Sequence, residues 1–94
     1  MADNTDNIDV RALLTYPTPY PIKVVGRQHA ELRVRIDAVV LRHVPDIDHD
    51  LTNVRPSKAG NYISISYTIR AQSAAQIAAL VQELTAHQDV VMVI

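Results

Sequence analysis

Gly26-Arg27-Gln28 is the segment of this 94-residue chain best placed to hold an anion. It follows an apolar stretch and opens a helical pattern, and the first N–H groups of a helix have no partner within it. Arg27, joined by Asn53 or Asn61, has the chemistry to hold a phosphoryl oxygen. No paired nucleophile or base accompanies them, so the set points to binding rather than to a reaction. Asp46-x-Asp48-x-Asp50, with His43 and His49 nearby, has the opening spacing of a calcium loop. Such a loop needs Gly at its sixth position and a bidentate Glu at its twelfth. Those positions hold Leu51 and Ser57, so the expectation is a solvated acidic loop and no metal site. His29 and His87 stand alone and read as surface or helix-end residues. Nothing implies a cofactor.

A second group surrounds the alternating stretch that begins at Tyr62. Tyr62, Ser64, Ser66 and Thr68 share one face of a strand there, opposite Ile63, Ile65, Tyr67 and Ile69. Lys23, Arg55 and Lys58 add local positive charge. Sheet faces that read RNA stack bases on several aromatics, and this face has one. The whole chain carries nine basic and ten acidic residues, a formal net charge of -1, so no broad field draws in a polyanion. Nucleic-acid binding is therefore only a minor alternative.

The elements that must position these residues follow from periodicity. Residues 1–12 read as a disordered, partly acidic tail, and 13–94 as one domain. Pro17, Pro19 and Pro21 impose an extended path and remove backbone donors, so the first strand is expected only at Ile22–Val25, stopped by Gly26. Gln28 to His43 predicts a helix with Leu32, Ile36, Val39, Val40 and His43 on one face, ended by Pro45. Leu51–Pro56 and Asn61–Arg70 read as strands joined by a hairpin, with Gly60 or Asn61 supplying any positive φ. Ser73 with Gln76 resembles a capping box, and Ile77, Leu80, Val81 and Leu84 form the stripe of a helix reaching about His87. Val90–Ile94 is the last strand. The expected core comprises Leu32, Ile36, Val39, Val40, Ile77, Leu80, Val81 and Leu84 with Ile22, Val24, Val54, Ile63, Ile65, Tyr67 and Ile69.

Strand, helix, strand, strand, helix, strand is the βαββαβ order of an α+β, ferredoxin-like sandwich. It places four antiparallel strands in order 4-1-3-2 with both helices on one face. Acylphosphatases of this fold hold an oxyanion with an arginine in the first loop and an asparagine on a nearby strand. A small enzyme of that type is the alternative from another functional class, with Arg27 in that role.

Tyr16-Pro17-Thr18-Pro19-Tyr20-Pro21-Ile22-Lys23-Val24-Val25-Gly26 resembles the opening motif of the YbeD-like family of small bacterial proteins of unknown function. Arg42-His43 and Ser57-Lys58-Ala59-Gly60-Asn61-Tyr62-Ile63-Ser64 are similar to its later motifs, in the same order and spacing. The resemblance covers Leu13 to Ile94. It implies a fold similar to the small-molecule-sensing ACT domains, a regulatory rather than enzymatic role, and a link to lipoate metabolism. It brings no catalytic residues.

With no Cys, no apolar leader among the first residues and Val90 to Ile94 as the longest apolar run, a cytoplasmic protein that does not enter membranes is expected. Its expected role is to bind a small molecule or a protein partner, without catalysis. The candidate surface comprises Lys23, Gly26, Arg27, Arg55, Lys58 and Tyr62. Val34 and Leu41, outward on the first helix, and Met92, on an uncharged edge strand, add apolar area and predict a weak homodimer.

Overall fold

In the computed structural model the described residues are 10–94. The part of the tail expectation that falls on residues 1–9 lies outside them. Val10–Leu13 forms a single 3-10 turn, held to the domain by Tyr16, whose hydroxyl donates to the Arg11 carbonyl at 2.5 Å.

Strands β1 (Thr18–Arg27), β2 (Asn53–Pro56), β3 (Tyr62–Ala71) and β4 (Val90–Val93) form one antiparallel sheet in the order β2-β3-β1-β4. Helices α1 (Leu32–His43) and α2 (Ala74–Ala86) cover one of its faces. This is the expected ferredoxin-like arrangement.

β1 is longer than expected and includes Pro19 and Pro21, paired with Arg70 and Thr68 of β3. The reason is parity. Lys23 N–H donates to the Ile94 carbonyl and Arg27 N–H to that of Asp89, so odd-numbered residues of β1 turn their backbone groups toward β4. β4 reaches back only as far as Lys23. The donors that Pro19 and Pro21 lack would therefore point into open solvent, where a strand tolerates proline. That stretch of edge offers no N–H donors at either proline and is guarded against strand addition.

Gly26 does not stop β1. It is buried in the strand, and a Cβ there would lie 2.9 Å from Leu32 Cδ2 and 3.0 Å from the Asp89 carbonyl oxygen. α1 starts at Leu32 rather than Gln28, because residues 28–31 form a turn in which Leu32 N–H donates to the His29 carbonyl. β2 starts at Asn53 rather than Leu51, because His49–Leu51 forms a 3-10 turn capped by Asp48. Gly60 supplies the positive φ of the hairpin, at 77°. Ser73 caps α2 by accepting from Gln76 N–H at 3.1 Å.

The core joins both helix stripes to Ile22, Val24, Ile63, Ile65, Tyr67 and Ile69, and adds Val44 and Ala71. Two residues depart from expectation. Val54 is 40% exposed, because β2 is an edge strand whose four residues all lie open to solvent. Val81 is only partly buried at the rim.

Candidate binding face of the sheet

The strands have two faces, and the helices occupy one. Residues directly opposite in an antiparallel pair share a face. Ile22↔Tyr67 and Val24↔Ile65 thus lie under the helices, while Lys23↔Ser66, Val25↔Ser64 and Arg27↔Tyr62 lie on the other side. β2 adds Asn53 and Arg55 to that open face, opposite Ser66 and Ser64. β4 adds Met92 opposite Val25 and Ile94 opposite Lys23.

Two shallow grooves run along this face. One, of about 360 Å³, is lined by Lys23, Asn53, Val54, Arg55, Ser64 and Ser66. The other, of about 230 Å³, shares Lys23, Arg55 and Ser64 and extends to Val25, Ser57 and Tyr62. Ser64 Oγ donates to the Arg55 carbonyl at 3.3 Å, which ties β3 to β2 beneath the grooves. Lys23 and Arg55 thus flank the Ser64 and Ser66 hydroxyls from the two strands on either side of β3.

The charges of the domain are sorted by layer. On α1, Arg33 pairs with Asp37, Arg35 with Glu31, and Arg42 with Glu83. Lys23, Arg27 and Arg55 on the open face, and Lys58 in the hairpin, form no ion pair among the described residues. The described side-chain carboxylates sit in the helix layer, in the acidic loop, or at Asp89 before β4. A cation without a partner keeps its capacity for an incoming anion, and exposed ion pairs of the α1 kind are worth little in stability.

The first strand-helix loop is differently disposed. Arg27 N–H donates to the Asp89 carbonyl at 2.9 Å and Gln28 N–H to the Asn61 carbonyl at 3.0 Å. His29 is not isolated: its Nε2 lies 3.0 Å from the Asp89 carboxylate, which also has Arg35 at 3.9 Å. The Arg27 and Gln28 amides are thus already used, and a carboxylate stands beside them. Arg27 and Asn53 lie at separate places along the sheet, opposite Tyr62 and Ser66 respectively, so that version of the acylphosphatase-type pair is not assembled. Asn61, the other expected partner, directly precedes Tyr62 and so lies beside Arg27. Gly26 is buried and serves close packing rather than contact with a ligand.

Lys23, Arg55 and Tyr62 are the sequence candidates that the sheet brings to shared grooves, with Met92 beside Val25 on the same face. Val34 and Leu41, 70% and 50% exposed, lie on α1 in the other layer. His43, Asp46, Asp48, Asp50 and His49 gather no group of three metal-ligating side chains among the described residues. His43 instead contacts Glu83, at 2.8 Å. Sequence reasoning missed Asn53 and Ser66 as groove residues and Val25 and Ile94 as its apolar border. The parity of Lys23 and Val25 against Ile22 and Val24 was a signal for Val25. It also missed a cleft of about 550 Å³ between the acidic loop and the far end of the sheet, where Asp46, Asp48 and Arg70 line the same space as Leu51 and Pro19.

No described helix is long and apolar enough to cross a membrane. The fold is similar to the ACT domain from the GTP pyrophosphokinase of Chlorobium tepidum, with a TM-score of 0.66 at 16% identity over 82% of this chain and 83% of that one. It is also similar to the C-terminal domain of the MgtC protein from Mycobacterium tuberculosis, with a TM-score of 0.59 at 23% identity, covering 81% and 82% of the two chains. These likenesses establish an ACT-like fold. In sequence, a UPF0250 protein of Bordetella pertussis is 40% identical over 83 residues, 88% of this chain and 91% of its own. One from Leptothrix cholodnii is 38% identical over 84 residues, 89% of this chain and 92% of its own. A family model described as a protein of unknown function (DUF493) matches residues 11–94. The chain therefore belongs to the DUF493 (UPF0250) family, the YbeD-like small bacterial proteins that its proline and hairpin motifs had indicated.

Proposed function

We propose that this protein is a non-catalytic regulatory domain that works by binding through the open face of its sheet. The observation that carries this reading is the sorting of charge. Lys23, Arg27, Arg55 and Lys58 form no ion pair among the described residues, whereas the three α1 arginines are each paired. The ACT-like fold supports a regulatory role by analogy of architecture. Lipoate, an apolar chain ending in a carboxylate, fits a surface where Lys23 borders Val25, and the proposed lipoate link belongs to this reading.

Thermal-shift measurements with amino acids, nucleotides and lipoate derivatives test it. A ligand that prefers the native state raises Tm saturably. The expected stabilisation comes from anionic ligands and is lost when Lys23→Gln and Arg55→Gln are combined. Stabilisation that survives this double variant would move binding off the face. Acyl-phosphate turnover abolished by Arg27→Ala would replace the reading with an enzymatic one.

Self-association belongs to the same proposal. β4 is an edge strand with Val91 and Met92 half exposed. Pairing with its copy would join two open faces into one sheet. Sedimentation at high concentration should show a weak dimer that Val91→Lys removes and that Val34→Glu with Leu41→Glu leaves intact. A strictly monomeric chain would eliminate the dimer.

A further inference from the structure

Resting on the open face as a binding surface, we infer that its occupant is a protein segment that presents carboxylates and apolar side chains on one and the same face. Two rows on the face define this chemistry. Lys23 and Arg55 share both grooves and form the cationic row. Val25, Met92 and Ile94 form the apolar row beside it, set by the pairings Val25↔Met92 and Lys23↔Ile94. Met92 and Ile94 are 48% and 67% exposed, so the row is open to a partner.

The match is electrostatic in one row and apolar in the other. Carboxylates over Lys23 and Arg55 meet guanidinium and ammonium donors, with the Ser66 hydroxyl and Asn53 amide lining the same groove. Apolar side chains over Val25, Met92 and Ile94 remove exposed hydrophobic area from water. A nucleic-acid backbone satisfies the first row and leaves the second bare. Tyr62 is the one aromatic ring on the face, where single-strand binders use several. A small inorganic anion likewise leaves the apolar row uncovered. An acidic, amphipathic polypeptide uses both rows.

The probe is a fluorescent synthetic peptide of Glu-Glu-Leu-Leu repeats (the Glu-Leu peptide), which in an extended form shows both residue types on each face, titrated with the full chain and followed by anisotropy. Poly-glutamate, a Lys-Leu peptide, a single-stranded DNA oligonucleotide and inorganic phosphate are the comparators. Saturable binding of the Glu-Leu peptide is expected, falling with added salt and weakened at least about tenfold by Lys23→Gln with Arg55→Gln. Met92→Ser should weaken it several-fold without changing its salt dependence. These positions are exposed, and circular dichroism verifies that each variant folds. Tighter binding of DNA or poly-glutamate than of the Glu-Leu peptide would overturn the inference and leave the face as a binding surface. Equal binding of the Lys-Leu peptide, or affinity unchanged by the double variant, would overturn it too. Binding of none of the anions would overturn the inference and the reading of the face together.

Discussion

The Tyr67 hydroxyl donates to Asp37 Oδ1 at 2.5 Å, joining the centre of β3 to the middle of α1. Tyr67 is otherwise enclosed by the core, at 1% exposure. The same carboxylate accepts from Arg33 Nε at 2.8 Å. This contact fixes where α1 sits on the sheet and has opposite consequences for its two ends. Asp37→Ala leaves a buried hydroxyl unsatisfied and should cost about 2–3 kcal/mol. Tyr67→Phe removes that hydroxyl, while Asp37 keeps Arg33 and solvent, and should cost about 1–2 kcal/mol. Urea unfolding of both variants gives the order, and the reverse order would contradict this account.

The Tyr67 contact also sets an alkaline limit. Burial first, then the Asp37 hydrogen bond and its charge, raise the Tyr67 pKa above its ordinary 10.0. A group whose folded pKa is raised contributes stability that is full below the unfolded value and fades above it. Unfolding at rising pH should therefore begin earlier in the parent chain than in Tyr67→Phe, relative to each protein's stability at neutral pH.

Glu83 sets an acid limit. Hydrogen bonds from Arg42, then from His43, hold its pKa below the usual 4.5. A depressed carboxylate contributes stability that is present above its unfolded value and lost as pH falls through the folded one. The pair Glu83–His43 and the Gln76 side chain, which donates to the His43 carbonyl at 2.9 Å, link the end of α1 to α2. The stability difference between the parent and Glu83→Gln should be constant at neutral pH and shrink below pH 4.5. A difference that grows on acidification would contradict the assignment.

Gly26→Ala tests close packing between β1 and α1. The added methyl meets Leu32 at 2.9 Å and the Asp89 backbone at 3.0 Å, and the backbone oxygen cannot swing aside as a side chain does. Overpacking of this kind costs about 1–3 kcal/mol. A cost near zero by chemical denaturation would show that β4 shifts freely.

Much of this was legible in the sequence because periodicity reports burial. Ile63, Ile65, Tyr67 and Ile69 alternate and are all buried, and both helix stripes hold except at His43 and Val81, which are partly exposed. Ile36→Ala should accordingly cost about 2–5 kcal/mol. Val54→Ala should cost under about 0.5 kcal/mol, since exposed substitutions do little. Val54 looked like core because a four-residue strand carries too short a pattern to reveal that it lies at the edge. The prolines misled for a related reason. Their rule concerns missing donors, and whether a donor is missed depends on where the neighbouring strand ends. The candidate site was half legible: alternation placed Tyr62 and Ser64 on one face, but only register brought Lys23 beside Ser66 and Met92 beside Val25. His29–Asp89 spans 60 positions and leaves no local pattern.

Backbone amide chemical-shift mapping during titration with the Glu-Leu peptide tests the central claim most directly. Binding through the open face predicts shifts that concentrate at Lys23, Val25, Arg55, Ser64, Ser66 and Met92. Val34, Leu41 and the turn from Gln28 to Glu31 should remain unchanged. Shifts centred on that turn and Asp89, or on the outer surface of α1, would contradict binding through the open face of the sheet.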